Sequence, residues 1–205
     1  DRWWLVFDDA RLNALIDTAL SSNFSLQAAW QRKEAARALL NRQKTYRYPE
    51  LDAFFDAGFD RQPESAQNNE SYATGLSAYY ELDLWGRIRS SIDAEAFRTV
   101  SVYTDYQAAS LSLAAEIALT WFRLIEARKQ IELIDQQIRT NEKALTIIRN
   151  RFGSGLIRSV DILRQEQLLE ATHEQKVFAS LEVGQLENRL NVLLGKPPQD
   201  SISYI

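Results

Sequence analysis

The sequence contains no cysteine and no methionine, and it has only seven glycines, four prolines and one histidine in 205 residues. Without cysteine it forms neither disulfides nor thiolate metal sites and has no thiol nucleophile, although this absence leaves the cellular compartment undecided. Such scarce glycine and proline argue against a loop-rich fold, while an apolar content of 45% is enough for a core. We therefore expect an ordered, mainly helical chain.

Charge and hydropathy exclude further classes. The net charge is only −4 and the 24 basic residues are scattered, so no basic stripe predicts nucleic-acid binding. No run of eighteen apolar residues occurs, and we expect no helix that spans a bilayer. Because the chain begins at Asp1 rather than Met, we expect its N-terminus to have been processed or trimmed, with any signal peptide or lipid-attachment cysteine removed.

Periodicity divides the chain into helices and strands. Asp8 or Asp9 is a suitable N-cap for a first helix, Asn23 marks its end, and a second helix has to finish before Pro49. The regions that we expect in a single repeat are N-terminal helices at 1–48, a β-hairpin at 49–86, a long helix at 87–152, a turn at 153–159, a return helix at 160–195 and a tail at 196–205.

The long helix carries a heptad pattern. Apolar residues recur every seven positions, and a second series precedes each of them by four. The two series are Ile117, Leu124, Ile131, Ile138, Leu145 and Phe152, and Leu113, Thr120, Ala127, Ile134, Asn141 and Ile148. A repeat sustained over five heptads predicts helices that pack as a coiled coil, with polar Thr120 and Asn141 as candidates for setting the register.

Two segments before this helix alternate with a period of two. In residues 50–60 the odd positions are apolar and the even ones small or acidic, with Phe54 as the exception. Residues 74–84 alternate in the same way, but there the mostly apolar side chains stand at the even positions. About ten residues is the length with which a tilted strand crosses an outer membrane. A half-buried hairpin of a soluble protein would show the same alternation, so both interpretations stay open at this point.

The segment RFGSGLIRSVDIL ends the long helix. Gly153 and Gly155 permit left-handed or strained backbone, Ser159 is a candidate cap for the next helix, and Asp161 would lie in its first turn. A helical hairpin is therefore predicted to turn here.

Several motifs resemble the TolC family of outer-membrane efflux channels, in particular the lipoprotein-type outer-membrane factors of multidrug and metal efflux systems. They are WWLVFDDARLNALIDTAL, NFSLQAAWQRKEAARALL, YELDLWGRIR, AAEIALTWFRL, RFGSGLIRSVDIL and LENRLNVLLGKPP, which together span nearly the whole chain. The resemblance implies long antiparallel coiled-coil helices with a β-hairpin that joins an outer-membrane β-barrel. Each subunit in that family contains two such repeats. The tryptophan-rich opening of this chain and its ELDLWGR segment resemble the first repeat, so we expect a fragment of a longer protein. A cylinder closed by six copies is the alternative.

The resemblance also implies a function. Full-length members form homotrimers in outer-membrane lipid, with helices in the periplasm, and passively export compounds delivered by an inner-membrane pump and a periplasmic adaptor protein. No cofactor or metal is implied, and no reaction is catalysed. Sequence patterns agree, because no nucleophile elbow or phosphate loop occurs and His173 falls on a polar helical face typical of a solvated side chain.

Three groups of site residues follow from the resemblance. The tip that contacts the adaptor and gates the channel would contain Gly153, Gly155, Leu156, Ser159 and Asp161. Residues expected in the barrel lumen are Asp52, Asp56, Asp60, Glu81 and Asp83. Residues expected to face lipid are Leu51, Phe55, Phe59, Leu76, Tyr80 and Leu82.

Two of these groups have alternative interpretations. The tip glycines would merely shape a turn and Asp161 merely cap a helix. Clustered carboxylates can also indicate metal ligands or an acid/base pair, but their place on one strand face favours side chains that line water. For the chain as a whole, the alternative is a soluble periplasmic coiled-coil scaffold or adaptor hairpin, which explains the heptads but not the strands. An enzyme would need a concave site with convergent titratable groups, which the sequence does not display.

Overall fold

The structure is a computed structural model that describes residues 2–61 and 68–200, without the side chains of residues 60, 61, 68 and 69. A short 3₁₀ turn at Trp3–Phe7 precedes six elements: helices α1 (Ala10–Ser22) and α2 (Phe24–Thr45), strands β1 (Glu50–Arg61) and β2 (Asn68–Tyr79), and helices α3 (Arg87–Gly153) and α4 (Ser159–Leu193). This order confirms the predicted mainly α fold class with one hairpin. The last part of the predicted tail, residues 201–205, lies outside the described residues.

The chain divides into two compact units. One contains Asp1–Ala28 and Gln107–Ile205, and the other contains Ala29–Tyr106. The first therefore includes α1, most of α3 and all of α4, while the second includes the hairpin and the beginning of α3.

In the first unit, Asp9 holds the start of α1. One carboxylate oxygen accepts hydrogen bonds from the backbone N–H groups of Arg11 (2.9 Å) and Leu12 (3.1 Å), and the other accepts the indole N–H of Trp121 at 2.8 Å. Burial alone would raise the pKa of Asp9, but these hydrogen bonds outweigh it and hold the pKa below its usual value. Of the two predicted caps, Asp9 is the N-cap, whereas Asp8 adopts a left-handed conformation (φ 51°) that closes the preceding turn.

The heptad seam of α3 packs against α4. Eight of its twelve residues are buried, three are half-buried, and Phe152, near the end of the helix, is exposed. Ile134 and Ile138 pack with Ala179 of α4, and Ile131 and Leu169 extend this contact. Burying such side chains contributes about 1.5–3 kcal/mol each. Burial of the seam therefore stabilises this helical hairpin by several such contributions.

Polar contacts determine how α3 and α4 align. The Asn141 amide donates a hydrogen bond of 3.1 Å to the Thr172 hydroxyl of α4, whereas the Thr120 hydroxyl donates to the Glu116 carbonyl of its own helix. Of the two predicted register residues, only Asn141 thus links the helices. Four ion pairs also join them: Glu116–Arg189, Arg128–Glu187, Asp135–Lys176 and Arg149–Glu166. Because these pairs are partly exposed, each adds at most about 1 kcal/mol and favours alignment more than stability.

The α1–α2 junction holds the end of α4 through two hydrogen bonds. The Ser22 hydroxyl donates to the Leu194 carbonyl at 2.6 Å, and the Asn23 amide donates to the Leu193 carbonyl at 2.9 Å. Gly195 follows with φ +72°, and a Cβ at this position would lie 2.4 Å from the Ser22 carbonyl oxygen. Only glycine fits this close approach of two backbones.

In the second unit, β1 and β2 form an antiparallel ladder from Glu50–Tyr79 to Arg61–Asn68. Leu51 lies opposite Ala78 and Ala53 opposite Leu76, and direct partners share one face of a sheet. The predicted separation into an apolar and a polar face is therefore confirmed for the paired residues. The exception, Phe54, places its ring over Gly75 on the polar face, where a Cβ on Gly75 would lie 2.7 Å from the ring.

One helix differs from the hydropathy expectation. Helix α3 contains an 18-residue stretch with mean hydropathy 1.4, which is long and apolar enough to cross a membrane. The expectation rested on the lack of an uninterrupted apolar run. Mean hydropathy, by contrast, can stay high in a stretch that contains a few charged residues. A third of this stretch is buried within the protein, and core helices of soluble proteins have the same property.

Two glycines in the α4 region provide a matched pair of substitutions. Gly195→Ala should lower the free energy of unfolding by at least about 1–2 kcal/mol, because alanine resists positive φ and its Cβ meets the Ser22 carbonyl. Gly184→Ala, inside α4 with nothing within 4 Å of the new Cβ, should raise it by about 0.5–1 kcal/mol. Denaturant midpoints of the helical circular dichroism signal measure both effects. Equal midpoints would contradict the close backbone contact between Gly195 and Ser22.

The Asp9 cap should make stability depend on pH. Its pKa is lower in the folded protein than the usual 3.8, so its contribution is present above that value and is lost as the pH falls through the folded pKa. Asp9→Ala should cost about 1–2 kcal/mol at pH 7, and the difference from wild type should shrink below about pH 4. Asp9→Asn retains an oxygen acceptor but should show no such pH dependence in denaturant titrations.

Candidate functional site

The turn between α3 and α4 is closed by backbone hydrogen bonds. Leu156 N–H donates to the Arg151 carbonyl (3.0 Å) and Gly155 N–H to the Phe152 carbonyl (2.9 Å), with Gly155 at φ +74°. This is the Schellman arrangement that ends many helices. It requires glycine at 155 but not at Gly153, the last residue of α3, where an added Cβ would meet nothing within 4 Å. Of the two glycines expected to permit left-handed backbone, Gly155 therefore adopts it and Gly153 does not.

The start of α4 also differs from the sequence prediction. Arg158 is the N-cap and Ser159 is the first helical residue, so Ser159 is not the cap. The Asp161 carboxylate instead accepts the Arg158 backbone N–H at 3.2 Å and satisfies a donor left free at the helix start. Leu156 is 73% exposed between the two helices. The turn thus presents an apolar side chain on a locally fixed backbone.

The hairpin has one bare apolar face. Leu51, Phe55, Phe59 and Leu76 lie on it and are between 70% and 87% exposed. Exposed apolar surface of this kind marks contact with protein or membrane. On the opposite face lie Asp52 and Asp56, both exposed, whereas the side chain of the third predicted acidic residue, Asp60, lies outside the described residues.

The alternation in the sequence predicted a strand that continues to residue 84, but this is wrong beyond Tyr79, where β2 ends. Glu81 and Asp83, predicted on the polar strand face, instead contact the first turn of α3. Glu81 forms a two-pronged ion pair with Arg87 (3.0 and 2.5 Å), and Asp83 accepts the backbone N–H groups of Ile88 (3.0 Å) and Arg89 (2.9 Å).

These contacts also shift the pKa values of Asp83 and Arg87. The hydrogen bond from Arg89 N–H, with that from Ile88, lowers the pKa of Asp83 despite an opposing effect of burial, and the Glu81 carboxylate raises the pKa of Arg87. Helix formation draws both carboxylates toward α3, because its free N–H groups and Arg87 are stronger partners than water. Tyr80 and Leu82, predicted to face lipid from the strand, are exposed in this connector.

A cavity of about 620 Å³ opens where the hairpin meets the helices. Its polar and aromatic lining includes Arg42 in the last turn of α2, Tyr46 and Tyr48 just after that helix, Glu50 and Tyr79 at the end of the ladder, Glu81 in the connector and Arg87 at the start of α3. Sequence reasoning missed this cavity, since its residues are distant in the chain and only the tyrosines around Pro49 hinted at it. Throughout the described ranges, this cavity included, no group of three His, Asp or Glu side chains is placed to hold a metal ion.

Known structures share this fold. The outer-membrane channel OprN superposes with a TM-score of 0.86 at 28% identity, and the match covers 98% of this chain and 46% of OprN.

Proteins with similar sequences include outer membrane proteins of Pseudomonas. The outer membrane protein OprJ of Pseudomonas aeruginosa is 31% identical over 94% of this chain and 42% of its own length. The toluene efflux pump outer membrane protein TtgI of Pseudomonas putida is 27% identical over 95% of this chain and 43% of its own. The chain therefore spans less than half the length of these relatives.

The family described as outer membrane efflux protein matches residues 15–196. This match covers most of the chain and, with the relatives and the OprN fold, confirms the predicted family and the outer-membrane location with helices in the periplasm. The chain belongs to the outer membrane efflux protein family.

Proposed function

We propose that this chain is the first repeat of the outer-membrane component of a tripartite efflux or type I secretion system. The full-length protein would be a homotrimer that exports small molecules passively and catalyses no reaction. The observation that carries this proposal is a β-hairpin with one exposed apolar face, followed in the chain by a long helical hairpin, in a member of the outer membrane efflux protein family.

The hairpin suits a barrel wall. Each strand has 12 residues, enough to cross an outer membrane at the usual tilt. Its apolar face would meet lipid through Leu51, Phe55, Phe59 and Leu76, and its polar face would place Asp52 and Asp56 in the lumen. The remaining strands would come from the second repeat and from other subunits, because two strands alone cannot close a barrel.

We place the adaptor contact at the tip formed by Gly153, Gly155, Leu156, Ser159 and Asp161. The closed turn fixes Leu156 in an exposed position, as suits an apolar anchor for a partner. Gly153 leaves open space that this chain does not require, and a partner backbone would fit there. Asp161 would add to gating only indirectly, since its carboxylate holds the Arg158 N–H.

The tip can be tested with substitutions that the chain itself tolerates. Leu156→Asp and Gly153→Gln should each lower export by about fivefold or more, because they remove an anchor or fill the partner's space. Neither should lower stability or outer-membrane abundance, since Leu156 is exposed and a side chain at 153 meets nothing. Drug accumulation in cells producing the full-length protein measures export. Gln167→Asp, an exposed change on α4, is the control, and equal accumulation in all strains would contradict the adaptor site.

Conductance tests the conduit itself. In planar bilayers the full-length protein should form ion channels, and the double substitution Asp52→Asn and Asp56→Asn should lower the cation-over-anion permeability ratio by removing lumen charge. Glu70→Gln, on the apolar face opposite Phe59, is the matched control. A full-length protein that stays soluble without detergent and forms no channels would instead favour the periplasmic scaffold.

A further inference from the structure

We propose that the cavity at the strand–helix junction is a transit subsite for aromatic zwitterions, compounds that carry an ammonium and an acid group on an aromatic body. The inference rests on the proposed function, because it assigns this cavity to the wall of the conduit. It adds a preference for one class of cargo at one level of the channel.

The cavity faces the polar side of the hairpin. Glu50 and Tyr79, which line it, are direct partners in the ladder and lie two residues from Asp52 and Ser77. Side chains two residues apart in a strand share a face, so Glu50 and Tyr79 are on the face of the acidic residues. If that face lines the lumen, cargo passing the junction meets the cavity.

Among the residues that the structure describes, the charged side chains lining the cavity leave one free cation and one free anion. Its lining contains two arginines and two glutamates, but Arg87 and Glu81 neutralise each other in their two-pronged ion pair. Within the described part of the chain, the side chains of Arg42 and Glu50 have no hydrogen bond or ion pair. A bound molecule with both signs of charge would satisfy both, whereas a simple anion or cation would satisfy one and be repelled by the other.

Aromatic rings supply the rest of the site. Tyr46, Tyr48 and Tyr79 line the cavity and are between 49% and 72% exposed. Tyrosine faces bind aromatic rings and organic ammonium groups, and their hydroxyls hydrogen-bond to polar substituents. A volume of about 620 Å³ is within the range of sites for drug-sized molecules. An open, tyrosine-lined cavity suits binding weak enough for release into the barrel.

Three fluorescent probes that share one ring system test the proposal. They are Nε-dansyl-lysine, a zwitterion, dansylglycine, an anion, and dansylcadaverine, a cation, each titrated into the full-length protein in detergent. Wild type should bind the zwitterion about tenfold more tightly than either singly charged probe, the value of one charge-assisted hydrogen bond.

Two substitutions separate the two charges. Arg42→Gln should weaken binding of the zwitterion and the anion about tenfold, whereas Glu50→Gln should weaken the zwitterion and leave the anion bound as well or better. Arg37→Gln, on the same helix and outside the cavity lining, and Glu70→Gln, on the other face of the hairpin, should match wild type. Equal affinity for the three probes, or Arg42→Gln behaving like Arg37→Gln, would overturn the site.

Fractionation and conductance distinguish this failure from that of the proposed function. A full-length protein that inserts in the outer membrane and conducts, but shows no preference among the probes, overturns the transit subsite alone. A protein that neither inserts nor conducts overturns the conduit and the subsite together.

Discussion

The burial of the α3 seam against α4 is the interaction on which the first unit depends. Leu113, Ile117, Leu124, Ile134 and Ile138 are nearly excluded from water, whereas the polar contacts between the same helices lie at partly exposed positions. Apolar burial therefore supplies the free energy that holds the two helices together. The hydrogen bond between Asn141 and Thr172 selects one alignment among the several that a purely apolar seam would permit. The Asp9–Trp121 hydrogen bond ties α1 to the same helix, so the N-terminal segment relies on this seam as well.

The sequence predicted elements well where a pattern repeats. The heptads gave the seam of α3, the alternation gave the two faces of the hairpin, and Gly155 marked the turn, because each follows from periodicity or from a backbone conformation that only glycine adopts easily. It failed where local hydrogen bonds compete with a pattern. Glu81 and Asp83 continue the strand alternation perfectly, yet the free N–H groups of α3 recruit Asp83 and the Arg87 guanidinium recruits Glu81.

The two candidate sites, the α3–α4 turn and the cavity at the strand–helix junction, show the same contrast. The turn between α3 and α4 could be located from Gly155 and Asp161, since both are local signals, although Ser159 was given the capping role that belongs to Arg158. The cavity at the junction could not be found from sequence, because Arg42, Glu50, Tyr79 and Arg87 come from four separate places in the chain. Nothing in their spacing shows that Glu81 pairs with Arg87 while Arg42 and Glu50 find no partner among the described residues.

The connector between β2 and α3 has a consequence for how such chains tolerate changes in length. Seven residues separate Tyr79 from Arg87, and within them Glu81 and Asp83 are both committed to the first turn of the helix. An inserted or deleted residue after Asp83 would move its carboxylate away from two backbone N–H groups and leave them without an acceptor. The strand therefore enters the helix through a spacer of fixed length, and insertions that lengthen the hairpin have to be accommodated at its opposite end.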